Sequence, residues 1–133
     1  EISNLCYGLS SIIESNYARD QLLVTITQCI IMLVKRQASL NKGHIVKIIN
    51  GLSVLKGESE IELCLITAIA NALRCNKEFT FHFTSKEIGK IFYGLSNITI
   101  SDAKNKLLSV LDIYLTNFLF AYPNVTLDNT TVS

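Results

Sequence analysis

The sequence predicts an all-α protein, a right-handed α-solenoid of three helical-hairpin repeats of 43 residues, with six helices. Three observations predict it. A glycine returns at a fixed spacing, the apolar residues around it follow the period of an α-helix, and a helix-capping signal precedes the repeated segment. A chain of 133 residues is long enough for one domain with its own core.

The repeat is centred on Gly8, Gly51 and Gly94, which are separated by 43 residues and again by 43. The three copies read ISNLCYGLS, IVKIINGLS and IGKIFYGLS, and apolar residues occupy the first, fourth, fifth and eighth places of each. This spacing is one face of a helix. A glycine inside a helix is less favourable than alanine by about 1 kcal/mol. We therefore predict packing glycines, each at a point where a neighbouring backbone comes too close for a Cβ atom.

Helix starts are predicted before two of the three first helices. Thr84 is followed three residues later by Glu87, a capping-box arrangement that satisfies the first free N–H groups of a helix. Asn41 stands 43 residues before Thr84 and is predicted to cap the second copy in the same way.

Each first helix is followed by a short polar break and a longer second helix, predicted over about 18–36, 59–76 and 102–121. The second helices keep the 43-residue register, since Leu22, Leu65 and Leu108 coincide. Asp112 occupies the position that corresponds to Ile26 and Ile69 in the other two second helices. A carboxylate there is unfavourable in a core, so the last helix is predicted to end the stack and face solvent.

One repeat domain is predicted over 1–121, with repeats at about 1–43, 44–86 and 87–121 and a frayed polar tail at 122–133. Each hairpin buries its apolar face only against its neighbours. The apolar side of the first hairpin is left open. We expect a homodimer through this exposed end, or a further segment of chain, to cover it.

Composition excludes several functions. Twelve basic and eleven acidic residues give a net charge of +1, so no broad field attracts a polyanion. The longest apolar run, Leu22 to Val34, has thirteen residues and is shorter than the roughly 20 residues that a bilayer span needs. We therefore expect a core helix and no membrane span.

The four cysteines lack the spacing of a zinc site and are expected to be buried free thiols. No metal and no cofactor are predicted.

The segment Asn4-Leu5-Cys6-Tyr7-Gly8-Leu9 resembles the first-helix signature of the octotricopeptide and heptatricopeptide helical-hairpin repeats. It is also similar to repeats of unknown function in proteins of intracellular bacteria. Lys47 and Lys90 replace the asparagine of that signature in the other two copies, and Asn50 replaces the aromatic residue in the second. The resemblance implies single-stranded RNA binding, with the first helices lining a concave surface. It leaves two locations open: the cytoplasm, or delivery from a bacterium into a host cell.

If that implication holds, a binding stripe is expected on the first helices, at positions that point away from the core. Polar side chains on such a stripe would read base edges, aromatic rings would stack and lysines would contact phosphate. The stripe comprises Asn4, Tyr7, Ser11, Lys47, Asn50, Val54, Lys90, Tyr93 and Asn97.

The favoured function is a protein–protein interaction scaffold, because α-solenoids of neutral charge present extended surfaces to protein partners. Single-stranded RNA binding along the stripe is the alternative. An enzyme is not expected. His44 is placed just before a first helix, and His82 is expected to pack among Phe79, Phe81 and Phe83. Neither has an acid or a cysteine at a spacing that suggests a catalytic pair.

Overall fold

A computed structural model describes residues 2–8, 17–77 and 81–121. In these ranges the chain forms six α-helices and no strand, which confirms the all-α class and the number of helices. The predicted tail at 122–133 lies outside the described residues, as do Ser11 and Phe79. The helices are α1 (Ile2–Gly8), α2 (Tyr17–Lys35), α3 (Lys42–Gly51), α4 (Glu60–Cys75), α5 (Ser85–Leu95) and α6 (Asp102–Ala121), with a short 3₁₀ turn at Leu52–Val54 after α3.

The helices pack in two rows. In one row α1 packs on α3 and α3 on α5; in the other α2 packs on α4 and α4 on α6. Both rows contribute to a single apolar core. Its fully buried side chains include Leu23 and Ile26 of α2, Ile45 and Ile49 of α3, Leu65, Ile66 and Leu73 of α4, and Leu107 of α6.

The backbones of α3 and α5 touch at Gly94. A Cβ atom added to Gly94 would lie 2.6 Å from the carbonyl carbon of Ile49 and 2.9 Å from Cα of Asn50, and closer still to the carbonyl oxygen of Ile49. Real Cβ atoms do not approach main-chain atoms this closely, so only glycine permits this separation of the two helices. Gly51 is buried in the 43-residue counterpart position of α3.

Both predicted caps are confirmed. The side chain of Asn41 accepts a hydrogen bond from the His44 N–H at 2.9 Å, and that of Thr84 accepts from the Glu87 N–H at 3.1 Å. His44 was expected before the helix, and this was wrong: it is the third residue of α3. Its Nδ1 accepts from the Asn41 N–H at 3.2 Å and so closes the capping box, the role that Glu87 has in α5.

The connection between α4 and α5 packs on the core through two rings. Phe81 and Phe83 are buried, and the Phe81 ring is stacked on the Tyr114 ring with centroids 6.1 Å apart. His82 between them is exposed, so its expected packing among the phenylalanines was wrong. The segment at 81–84 is not helical, and alternate side chains of extended chain point to opposite sides. With both phenylalanines inward, His82 points outward.

Helix α2 is apolar but buried on one side only. It is the one helix of the described chain that is long and apolar enough to cross a membrane, by length and composition alone, and 28% of that window is buried in the fold. Core helices of soluble proteins pass the same test. Leu23, Ile26 and Ile30 face the core, whereas Ile31 and Met32 are exposed.

Two further expectations concern individual side chains. Asp112 is exposed on α6, as expected for the last helix of the second row. The expected burial of the cysteines was wrong: Cys64 and Cys75 are exposed and Cys29 is half-buried, all three as free thiols. The side chain of Cys6 lies outside the described residues.

Replacing Gly94 with alanine should lower the free energy of unfolding by about 1–3 kcal/mol, the range for inserting atoms into packed structure. The better helix propensity of alanine offsets only part of this. Gly89→Ala in the same helix is the matched control, because a Cβ there meets no atom within 4 Å. It should stabilise the protein by up to about 1 kcal/mol. Urea unfolding followed by circular dichroism measures both. A Gly94→Ala variant as stable as the wild type would disprove the backbone contact.

Candidate functional site

The first helices carry an exposed face made of most of the predicted stripe; Val54 is an exception, because it is half-buried and packs against the core. Asn4, Tyr7, Lys47, Lys90, Tyr93 and Asn97 are exposed, and Asn50 is half-buried. Lys86 lies on the same side, four residues before Lys90, and is also exposed. We call these eight residues the first-helix face.

Two hydrogen bonds join consecutive members of the first row of helices and hold this face in register. The Lys47 ammonium donates to Oδ1 of Asn4 at 3.1 Å, a pair separated by 43 residues. The Asn97 side-chain amide donates to the carbonyl oxygen of Ser53 at 2.7 Å, across 44 residues. The Asn97 amide therefore links the turn after α5 to the turn after α3. Tyr7, Lys90 and Tyr93 keep their side chains on the outer side.

The face has an excess of positive charge. The three first helices contain four lysines and one acid, Glu87. The Lys42 ammonium lies 3.0 Å from Oε1 of Glu87. Burial raises the pKa of the Glu87 carboxyl, but hydrogen bonds from the Thr84 N–H and hydroxyl and from Lys42 outweigh it, and the pKa is lowered. This carboxylate is thus engaged in the helix cap and in a pair with Lys42, which leaves Lys47, Lys86 and Lys90 to define the charge of the face.

Lys86 was missed in the sequence. The stripe was drawn from positions that repeat between the three copies, and the counterpart of Lys86 in the second copy is Gly43, which has no side chain to compare. The signal that could have found it is its place one helical turn before Lys90.

A second feature is an apolar groove of about 630 Å³ between α2 and α4. It lies in the row of second helices and was not predicted. Its α4 wall includes Cys64, Thr67, Ala68 and Asn71. The residues 43 positions later are Leu107, Val110, Leu111 and Tyr114 of α6, all buried. Small side chains on α4 therefore open a groove at the place where large ones on α6 fill the next interface.

A buried ion pair joins α2 to α4. A guanidinium nitrogen of Arg19 lies 3.3 Å from Oε1 of Glu62, which is 43 residues later, and both side chains are buried. The other carboxylate oxygen of Glu62 accepts from the Ser59 hydroxyl at 3.1 Å, within the cap of α4. Burial raises the pKa of the Glu62 carboxyl, but the hydrogen bonds from the Ser59 N–H and hydroxyl and from Arg19 together lower it. The pair links the first turns of α2 and α4.

The described residues contain no group of three or more His, Cys, Asp or Glu side chains that could hold a metal. His44 takes part in a helix cap, and His82 lies in the connection before α5, where its carbonyl oxygen accepts from the Lys42 ammonium at 3.0 Å.

Comparison with known proteins found no similar protein. No family model matches the chain, and no curated protein and no solved structure matches it either. The resemblance to octotricopeptide and heptatricopeptide repeats stays a prediction that rests on the sequence alone.

The free energy of unfolding should decrease in acid, because Glu62 and Glu87 become protonated. Both carboxyls have a folded-state pKa below the ordinary 4.5, so the unfolded chain binds more protons than the folded one at low pH. The free energy of unfolding should hold above about pH 5 and decrease as the pH falls below 4.5 through the folded-state values.

Glu62→Gln tests this assignment. At pH 7 it should be less stable by about 1–3 kcal/mol, because a buried charged group loses its partner, and its further loss on acidification should be smaller than that of the wild type. Glu60→Gln, a change at an exposed position in the same first turn of α4, is the control. Urea unfolding between pH 3 and pH 7 is the measurement. Equal acid dependence in wild type and Glu62→Gln would show that this carboxylate is not involved.

Proposed function

We propose that the protein is a binding module without catalytic activity, a protein–protein interaction scaffold. In this proposal the three hairpins form a right-handed α-solenoid with a repeat of 43 residues. The two-row packing and the contacts between residues 43 apart, Asn4 with Lys47 and Arg19 with Glu62, support it. The main support for this function is the first-helix face, an exposed row of tyrosines and lysines on helices that pack on one another.

Tyrosine is the reason to favour a protein partner. Tyr7 on α1 and Tyr93 on α5 are 48% and 62% exposed, and the half-buried Asn50 of α3 is at the counterpart position between them. Tyrosine is enriched among the residues that dominate protein–protein binding energies, because a large rigid ring buries much area with little loss of entropy. The helices that carry these rings are held by core packing, so little ordering is required when a partner binds.

The charge of the face selects the partner. With Glu87 engaged by Lys42, the side chains of Lys47, Lys86 and Lys90 favour an acidic segment. Opposite charge on a partner speeds association and excludes basic competitors. An acidic peptide with apolar or aromatic anchors fits both the lysines and the tyrosines.

Single-stranded RNA is the second candidate, because the same side chains offer stacking rings and phosphate contacts. Three lysines can neutralise only a few phosphates of an RNA strand. Each phosphate neutralised on a single strand contributes about −0.7 to the slope of log K against log salt, so the slope should be only about −2. Fluorescence anisotropy of a labelled random single-stranded RNA, in low and moderate salt, tests this candidate. Tight binding with a slope of this size would favour RNA over a protein partner.

Peptide selection tests the main proposal. A displayed library of acidic peptides should yield sequences that bind the full chain, and Tyr7→Ala and Tyr93→Ala should each weaken binding of the selected peptides about tenfold or more, as expected for tyrosines that anchor a partner. Tyr17→Ala is the matched control, because Tyr17 is exposed on α2 and not on the first-helix face. Isothermal titration calorimetry measures the three affinities.

The Tyr17→Ala control distinguishes binding at the first-helix face from non-specific binding to any exposed tyrosine. If Tyr17→Ala weakens the peptides as much as Tyr7→Ala and Tyr93→Ala do, the first-helix face is not the binding surface. If an acidic library yields no binder while RNA binds, the second candidate replaces the first.

A further inference from the structure

The positive charge of this chain is concentrated in two connections between helices. The connections from α2 to α3 and from α4 to α5, with the adjoining helix turns, span residues 35–44 and 74–87. These two stretches contain six of the twelve basic residues of the sequence and only two of its eleven acidic residues, Glu78 and Glu87. In the rest of the chain acidic residues outnumber basic ones. A local excess of positive charge therefore exists in a chain whose net charge is only +1.

The two connections lie side by side in the fold. The Leu40 N–H donates to the side-chain oxygen of Asn76 at 2.9 Å, and the Asn76 side-chain amide donates to the Leu40 carbonyl oxygen at 3.1 Å. The Lys42 ammonium donates to the carbonyl oxygen of His82 at 3.0 Å. A cavity of about 340 Å³ between the ends of α2 and α4 is lined by residues of both connections. We call the six cations of these stretches the basic edge: Lys35, Arg36, Lys42, Arg74, Lys77 and Lys86.

Most of the basic edge is open to solvent. Five of its six side chains are exposed, and that of Lys42 is half-buried. Lys42 is also the member whose ammonium contacts a carboxylate, that of Glu87 at 3.0 Å. Within the part of the chain that the structure describes, the other five cations form no ion pair. Their charge is therefore available to an anionic partner.

Helix stability accounts for only part of this charge. A cation in the last turn of a helix is favourable, and Lys35 of α2 and Arg74 of α4 occupy such places. A cation in the first turn is unfavourable, and Lys42 of α3 and Lys86 of α5 lie there. The pair with Glu87 offsets this cost for Lys42. Lys86 has no such partner among the described residues, which favours a role in binding.

The chemistry of the edge favours a protein segment over other polyanions. Its described aromatic side chains, Phe81 and Phe83, are buried, so neither ring is available to stack on a nucleic acid base. None of its described residues is a large exposed apolar side chain that could insert into a membrane. Lys86 belongs both to this edge and to the first-helix face, for which an acidic peptide is the proposed partner.

We propose that the basic edge binds an acidic segment of the protein partner and continues the first-helix face through Lys86. Carboxylates of the partner then lie against cations of both connections. Because these cations are exposed, the attraction speeds association and is screened by salt. The inference rests on the proposed function for its choice of an acidic protein partner, but its test uses a probe that needs no contact with the tyrosines.

A labelled oligoglutamate peptide, which has no aromatic or apolar anchor, is the probe. Fluorescence anisotropy in low salt should show that it binds the wild-type protein, and added salt should weaken the binding. The double variant Arg36→Glu/Lys77→Glu should bind it about tenfold more weakly, because two attractions become repulsions. Both positions are exposed and lie outside the helices, so circular dichroism should show the wild-type helix content.

Two control variants separate the edge from the rest of the protein. Lys56→Glu/Lys106→Glu changes the net charge by the same amount at exposed positions near the opposite ends of the helices, and its affinity should stay close to that of the wild type. Tyr7→Ala should bind oligoglutamate as the wild type does, because the probe offers no group for the ring to anchor. Arg36→Gln/Lys77→Gln should have an affinity between those of the wild type and the glutamate variant.

Three results would overturn the inference. The first is a wild-type protein that does not bind oligoglutamate in low salt. The second is an equal loss of affinity in Lys56→Glu/Lys106→Glu and Arg36→Glu/Lys77→Glu, which would assign the effect to net charge. The third is an Arg36→Glu/Lys77→Glu variant that loses binding to random single-stranded RNA but keeps binding to oligoglutamate, which would assign the edge to nucleic acid. Failure of the first-helix face is a separate result, seen when Tyr7→Ala and Tyr93→Ala keep their affinity for the selected peptides.

Discussion

The contact between the backbones of α3 and α5 at Gly94 is the constraint on which the first row depends. Helix axes in ordinary packing are kept apart by side chains, whereas here a missing Cβ lets the main chain of one helix rest on that of the next. The separation and register of the two helices follow from this contact. The Asn97 hydrogen bond to Ser53 and the Lys42 pair with Glu87 then form between side chains already placed opposite each other.

Periodicity was sufficient to predict the elements of the fold. The 43-residue return of glycine and the helical spacing of apolar residues identified the six helices, and the capping residues Asn41 and Thr84 located the starts of α3 and α5. Individual side chains were harder to place. His82 was misplaced because a cluster of phenylalanines suggests a core, while the alternation of an extended segment sends every second residue outward. Cys64 was misplaced because an apolar residue on a helix is buried only where a neighbour covers it, and α2 leaves this part of α4 open.

The exposed face could be foreseen from helical phase, but its chemistry could not. Phase indicates which residues point away from the core, and the predicted positions that the structure describes are exposed, except Asn50 and Val54, which are half-buried. Phase does not reveal that the Asn97 amide is occupied by a main-chain carbonyl, nor that Glu87 is held by Lys42. It also treats cysteine, alanine and leucine alike as apolar. The α2–α4 groove arises from their difference in size, and so it was missed.

A contact between main chains, such as the one at Gly94, allows the outward side chains of the first helices to differ from one helix to the next. The contact at Gly94 requires no Cβ on one helix and an accessible carbonyl on the other, and it makes no demand on the residue at the outward position before the glycine. That position is Tyr7 in the first copy, Asn50 in the second and Tyr93 in the third. The same backbone contact is therefore compatible with different side chains on the exposed first-helix face.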